Sequence, residues 1–355
     1  MLTRIRPRPH ETGAGVGVFA PSLPLAAMFR DRFNYALMQL ASTLQAVPIV
    51  ADNVVRLQSG FCAGSARERA EELNRLIADR SVRSIICTIG GFNSAEMLPF
   101  VDYASARANP KILVGYSDCT ALLLGLQAMA GWVTFHGPAL MTQFGEYPTI
   151  FPYTLDAYRR AVEGRLRGWT VPNSPFWTSE RLEWADGAWR TRARLPNGQA
   201  LMEAWRSGTS SGVLWGGNLE TVNLLAGTPY FSPPERDIVL FWEAVEAEAF
   251  LPRVRRALTH LQQCGVLERT VAMIVGLSPD AQPFMGVSLR ETVLDAVAGY
   301  AFPVIGAAPI GHTDPMLTLP IGVRVEVSAE PGATTLAFLE EAVDAQFVDG
   351  SDKSI

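Results

Sequence analysis

Cysteine is scarce. The 355 residues hold four, Cys62, Cys87, Cys119 and Cys264, and no two stand at C-x-x-C spacing. Cys87 and Cys119 sit inside apolar runs, where a cysteine usually serves as a small buried hydrophobe, so the pattern favours a reducing compartment over a disulfide-stapled secreted domain. Charge is modest, with a net value of −5. No cluster of Lys and Arg makes a basic face, which excludes a nucleic-acid polymer as the expected partner. No apolar run is long enough to span a bilayer, and MLTRIRPRPHETGAG lacks the apolar stretch of a signal peptide. A soluble, cytoplasmic protein with no membrane partner is expected. No Gly-x-x-x-x-Gly-Lys follows a strand, and GAGVGVFA has too few features for a dinucleotide fingerprint.

What is present points to two cores. The chain is too long for one ordinary core, and 48% of it is hydrophobic, so two domains are expected. Val16–Ala20 reads as a strand, Pro24–Leu44 carries apolar residues at helical spacing, and Val47–Val50 is a second strand. Ala66–Asp79 is an amphipathic helix, and Ser84–Ile89 is a third strand ending in Gly90-Gly91. Ile112–Val114 is a fourth, followed by a helix over Asp118–Ala130. Strand and helix alternating at this cadence predict crossover units and a parallel sheet, an α/β fold with ligands at the carboxyl ends of the strands. Around Pro148–Gly212 periodicity fades and proline, glycine and tryptophan accumulate: Trp169, Trp177, Trp184, Trp189, Trp205 and Trp215 fall in or beside it. A second β-rich unit follows, with strands over Asp237–Trp242, Thr270–Val275, Pro303–Gly306 and Gly322–Val327 and helices over Leu251–Cys264 and Leu289–Ala298. The expected organisation is therefore an N-terminal α/β domain over 1–150, a Trp-rich connection or lid over 151–210, a C-terminal domain over 211–347 and a frayed tail over 348–355.

Ser117, in ILVGYSDCTALLL, stands at the tip of a strand-to-helix turn. A serine needs a base to take its proton and a scaffold that projects it. Gly115 two residues earlier resembles the start of a Gly-x-Ser-x-Gly elbow, with Cys119 in place of the last glycine. The helix that follows directs its positive end at the serine oxygen. On this stretch alone, a capping role for Ser117 or Asp118 is favoured. Gly90-Gly91 shifts the balance, because exposed N–H groups there could join that of Asp118 in an oxyanion hole, whose donors are each worth roughly 3–4 kcal/mol. Four histidines are available as bases. His10 lies in a start read as disordered, and His260 on an amphipathic helix. His136 and His312 both follow strand-like runs beside glycine, and both are candidates. Glu243, closing the apolar run DIVLFWE, is placed to orient an imidazole. Glu246 and Glu248 read as the acidic first turn of the next helix.

Five blocks, TIGGFNSAEMLPFVDY, LVGYSDCTALL, GVLWGGNLETVNLLAGTPY, DIVLFWEAVE and PIGHTDPMLTLPIG, together resemble the serine peptidase family of LD-carboxypeptidases and microcin C immunity proteins. They run in order from about Val16 to Val327. The resemblance implies Ser117 as nucleophile, His312 as base, Glu243 as its orienting acid, and the backbone N–H groups of Gly91 and Asp118 as oxyanion donors, leaving His136 a structural role. It also implies a flavodoxin-like N-terminal domain, a β-rich swivelling C-terminal domain, a homodimer, and neither metal nor cofactor. The order Ser, Glu, His then predicts a site in the cleft between the domains.

The expected activity is hydrolysis of an amide bond near a free carboxylate in a small peptide or peptidyl-nucleotide; a non-catalytic binding module is the competing class. One branch of the family trims murein tetrapeptides and the other cleaves peptidyl or aminoacyl nucleotides, and GGFNSAEMLPFVDY with the Trp-rich middle leans to the second. Gly90, Asn93 and Trp184 are the candidates for substrate contact. Trp184 lies in SERLEWADGAW, a polar, turn-rich stretch with few local apolar neighbours, and suits a platform for a nucleobase, with Trp177 or Trp189 as alternatives.

Overall fold

Near-continuous apolar runs such as Gly15–Phe19 and Ile112–Gly115 become strands buried on both faces, the signature of a parallel sheet covered by helices. The computed structural model describes residues 2–56, 60–344 and 346; the expected tail lies outside them. Strands β1 (Gly15–Phe19), β2 (Val47–Val50), β3 (Val82–Cys87), β4 (Ile112–Gly115) and β5 (Thr134–His136) run parallel in the order β2-β1-β3-β4-β5. That is the flavodoxin-like order, and its switch point lies between β1 and β3. The second sheet is built from β6 (Glu203–Arg206), β7 (Gly208–Asn218), β8 (Ile238–Glu243), β9 (Thr270–Gly276) and β10 (Val304–Ala308), with β12 (Arg324–Ala329) and β13 (Thr335–Phe338). Its central strands β7 to β10 are parallel, and its flanking strands are antiparallel.

The chain does not divide cleanly at residue 211. β6 and the first residues of β7 lie upstream of it. β11 (Leu319–Ile321), from the C-terminal half, pairs antiparallel with β5 and completes the first sheet. The two halves are therefore interlocked beside the loop that carries His312.

Several expected elements differ in detail. The helix expected over Pro24–Leu44 is two, Leu25–Met28 and Arg30–Leu44, separated by Phe29 at φ −117° and ψ 66°. The segment read as aperiodic contains the helix Pro152–Glu163, which buries Thr154, Ala157, Tyr158, Ala161 and Val162 along one stripe. Pro152 opens it and left-handed Gly164 ends it, the pairing that favours a helix with sharp ends. The N-terminal arm is tied down rather than disordered. Ile5 bridges to Trp132, Arg6 pairs with Glu340, and buried His10 lies 3.4 Å from the Leu44 carbonyl and 3.3 Å from Ser84 Oγ. Among the described residues no helix is long and apolar enough to cross a membrane.

Candidate active site

Ser117 follows β4 and adopts φ +61°, a left-handed conformation that costs a non-glycine residue about 1 kcal/mol or more and marks sites where the backbone aims a side chain. The hydroxyl is not a helix cap. Neither the short turn Ser117–Cys119 nor the helix Thr120–Ala130 has a side-chain cap at its start. The Asp118 carboxylate does not cap that helix either; it accepts the N–H groups of Asn93 and Ser94 at 3.1 and 3.0 Å. Ser22 Oγ accepts from Phe92 and Asn93, both at 3.0 Å. These bonds pin the loop after β3 against the serine turn. Gly90 is where the loop comes closest: a Cβ there would lie 3.3 Å from Ser117 Oγ and from the Asp118 nitrogen. The N–H groups of Gly91 and Asp118 have no hydrogen-bond partner among the described residues.

Glu243 closes β8, beside Asn218 at the end of β7. It is buried, and its Oε2 accepts from His312 Nδ1 at 2.7 Å. Burial acts most strongly on both groups and disfavours both charges. Their mutual attraction outweighs it, holding the carboxyl below its usual range and the imidazole above its own. The bond fixes the tautomer that leaves Nε2 free as a proton acceptor. The Tyr116 ring meets His312 edge-on at 4.9 Å. His136 is separate. It is fully buried between Tyr116 and Phe241, both ring nitrogens lack a partner among the described residues, and burial pushes it down to about 4, so it is neutral near pH 7.

Ser117 and His312 border one cavity of about 990 Å³, as do Gly90, Gly91 and Trp184. Asn93 does not border it; its amide turns to Glu96 Oε1 at 2.7 Å. Trp184 is less bare than its local sequence suggests: Phe29 meets it edge-on at 5.5 Å and the Arg32 guanidinium lies 4.4 Å from the ring centre. Trp189 also borders the cavity, whereas Trp177 does not. Trp169 stacks on Phe338, and Trp205 and Trp215 are buried.

Charged cavity-lining residues that were not among the sequence candidates include Arg32, Glu146, Arg194, Asp314 and, as a site residue, Glu248. Glu246 and Glu248 occupy their own short turn, Glu246–Ala249, ahead of the helix Leu251–Gln263. Glu248 accepts from Asn218 Nδ2 at 2.7 Å, and burial, with Glu243 nearby, pushes it up to about 7. Asn218 also caps the helix Leu219–Leu224 and donates its N–H to Thr120 Oγ1 at 3.1 Å, joining the second sheet to the helix behind Ser117. A Gly-Gly-Asn run before a helix is a sequence signal for such a cap; nothing local marks Arg32 or Arg194.

Comparison with known proteins shows the family of the chain. Residues 16–137 match the model of the LD-carboxypeptidase N-terminal domain and residues 211–327 that of the LD-carboxypeptidase C-terminal domain. The chain is 36% identical over 318 residues to a protein assigned as a carboxypeptidase in Vibrio cholerae, covering 88% of this chain and 91% of that one. It is 30% identical over 324 residues to the microcin C7 self-immunity protein MccF of Escherichia coli, covering 90% and 92%. The structure of MccF with aspartyl sulfamoyl adenosine superposes with a TM-score of 0.87 at 28% identity, covering 96% of this chain and all of that one. The chain belongs to the LD-carboxypeptidase family and is a serine-type carboxypeptidase.

Proposed function

We propose that Ser117, His312 and Glu243 form the catalytic triad and that the substrate is an aminoacyl or peptidyl nucleotide. The observation that carries the triad is the 2.7 Å bond from His312 Nδ1 to Glu243 Oε2 on the wall of the cavity that Ser117 enters from the other sheet. His312 Nε2 takes the serine proton as Oγ attacks the amide carbonyl, then returns it to the leaving amine. Glu243 keeps the imidazole in the accepting tautomer and stabilises the imidazolium. The N–H groups of Gly91 and Asp118 hold the oxyanion, and the unpartnered state of both suits that role. Water then releases the acyl group by the same proton path.

The nucleotide reading rests on Trp184, a ring on the cavity wall with an arginine against it, and on the likeness to MccF, whose structures include complexes with aspartyl sulfamoyl adenosine and glutamyl sulfamoyl guanosine. Cleavage of a murein tetrapeptide is the second reading, favoured by the LD-carboxypeptidase domain matches. Purified protein assayed against aspartyl-sulfamoyl-adenosine and a murein tetrapeptide separates them: selective loss of the first compound is expected, and turnover of the tetrapeptide alone reverses the assignment. A homodimer in the cytoplasm belongs to the same proposal through the family resemblance, and light scattering of the purified protein tests the dimer.

A further inference from the structure

Two residues beyond His312, the Asp314 side chain is held on every side. Its Oδ1 accepts from Gln143 Nε2 at 3.0 Å and its Oδ2 from Arg194 Nη2 at 2.7 Å. Its backbone pairs with Thr178 in both directions, at 2.9 and 2.6 Å. The same Arg194 Nη2 reaches Glu146 Oε2 at 2.6 Å. All three charged groups are largely buried, with side-chain exposures of 15% for Arg194, 4% for Glu146 and 8% for Asp314. The three come from different parts of the chain. Gln143 and Glu146 follow β5 in the first sheet's domain, Thr178 and Arg194 belong to the Trp-rich segment, and Asp314 belongs to the histidine loop.

A buried ion cluster of this kind adds little net stability over apolar side chains of the same size, because desolvation offsets the attraction. What it supplies is geometry. One guanidinium bridging two carboxylates fixes the distance between their backbones, and removing it leaves two buried like charges that push apart. One of those carboxylates lies two residues from the imidazole, whose other restraints are the Glu243 bond and the Tyr116 ring.

We propose that Arg194 and Asp314 are positioning residues, a clamp by which the Trp-rich segment, seated over the cavity, sets the place of His312. The proposal rests on the triad reading. With the clamp formed, His312 keeps its place on the cavity that Ser117 also borders; with it open, the loop relaxes and proton transfer fails while the rest of the cavity still binds substrate. The Trp-rich segment thereby acts on the chemical step as well as on binding.

The test compares kcat and KM for Arg194→Ala, Arg194→Lys, Asp314→Asn and Ser117→Ala on aspartyl-sulfamoyl-adenosine. Arg194→Ala is expected to lower kcat about 10²-fold, the scale of a misplacement near 1 Å, with KM changed less than threefold. Millimolar methylguanidinium should restore part of that kcat where sodium chloride at the same concentration does not. Arg194→Lys, which keeps the charge but not the fork, should fall between. A loss confined to KM, or an unchanged kcat, overturns the clamp. Should Arg194→Ala fail to fold, the isosteric Asp314→Asn decides: the same kcat loss supports the clamp and a wild-type kcat overturns it. Turnover surviving in Ser117→Ala overturns the triad and the clamp together, whereas an inactive Ser117→Ala beside an unimpaired Arg194→Ala overturns the clamp alone.

Discussion

Gly311 and Glu243 pack so closely that a Cβ built on Gly311 would lie 2.6 Å from Glu243 Oε2, the oxygen that holds His312. Gly311 also has φ +85°, so its lack of a side chain serves both the loop's conformation and the approach of the carboxylate. Gly311→Ala should therefore push Glu243 off the imidazole. Losing the orienting carboxylate of such a triad costs on the order of 10²–10⁴-fold in kcat, and the variant should show that loss with the cavity still able to bind. Wild-type kcat in a folded Gly311→Ala would mean that the Glu243–His312 bond is dispensable.

Ser117 holds a left-handed backbone conformation although its hydroxyl caps neither adjoining helix. Ser117→Ala should abolish hydrolysis and change stability by less than about 1 kcal/mol. Ser117→Gly should also be inactive, but its melting temperature should rise, because glycine relieves roughly 1 kcal/mol of left-handed strain. A fall in melting temperature for Ser117→Gly would show that the hydroxyl supports the fold.

Much of the site could be read from residue order. Apolar runs ending in glycine located β3 and β4, and the residues after such strands are where ligands gather. A carboxylate closing an apolar strand pointed to Glu243. Other features had no local signature. His136 and His312 share the same sequence surroundings, and the bond that separates them spans 69 positions. Arg194 lies 120 residues from Asp314 and 48 from Glu146, as their numbers show, and its pairing depends on how the Trp-rich segment folds back. The helix Pro152–Glu163 was obscured by the proline and glycine around it, although its own buried stripe has ordinary helical spacing. β11 is three residues long, too short for any periodicity to register.

The pH profile should report the His312 pair. The base must be neutral to accept the serine proton, so activity falls as pH drops through its pKa. Glu243 raises that pKa against the effect of burial, which puts the acid limb of kcat/KM above the ordinary histidine value of about 6.5. Glu243→Gln removes the attraction, so the limb should move to lower pH as the plateau rate falls. His312→Ala should flatten the profile to background, whereas His136→Ala should keep a measurable, pH-dependent rate. The opposite result for the two alanine variants would transfer the base to His136.

His136 should instead appear in acid stability. Its folded pKa is pushed down to about 4 by burial, while in the unfolded chain it titrates near 6.5. Between these values the unfolded state binds more protons, so stability is intact above about pH 6.5 and declines as pH falls towards 4. The contribution between pH 7 and pH 5 is roughly 2 kcal/mol. His136→Phe keeps an aromatic ring against Tyr116 and Phe241 and removes the titration. Urea unfolding at the two pH values should give a smaller drop in stability for the variant than for the wild type. An identical drop would assign the acid sensitivity to other groups.

Trp184 is the remaining test, and its surroundings sharpen it. The ring borders the cavity but is also held by Phe29 and by Arg32, whose guanidinium lies 5.1 Å from the centre of Trp189 as well. A purine stacked on the ring would gain roughly 1–3 kcal/mol, so Trp184→Ala should weaken use of an adenylated substrate about tenfold or more. A plain peptide, which has no base to stack on the ring, should be turned over almost as before. The alanine variant also uncovers one side of Arg32, and Trp184→Phe controls for this by keeping an aromatic face for both the cation and the base. The phenylalanine variant should lose less than the alanine variant on the adenylated substrate and nothing on the peptide. Equal losses on both substrates would show that Trp184 holds Arg32 and the Trp-rich segment in place, and the nucleobase platform would then be discarded.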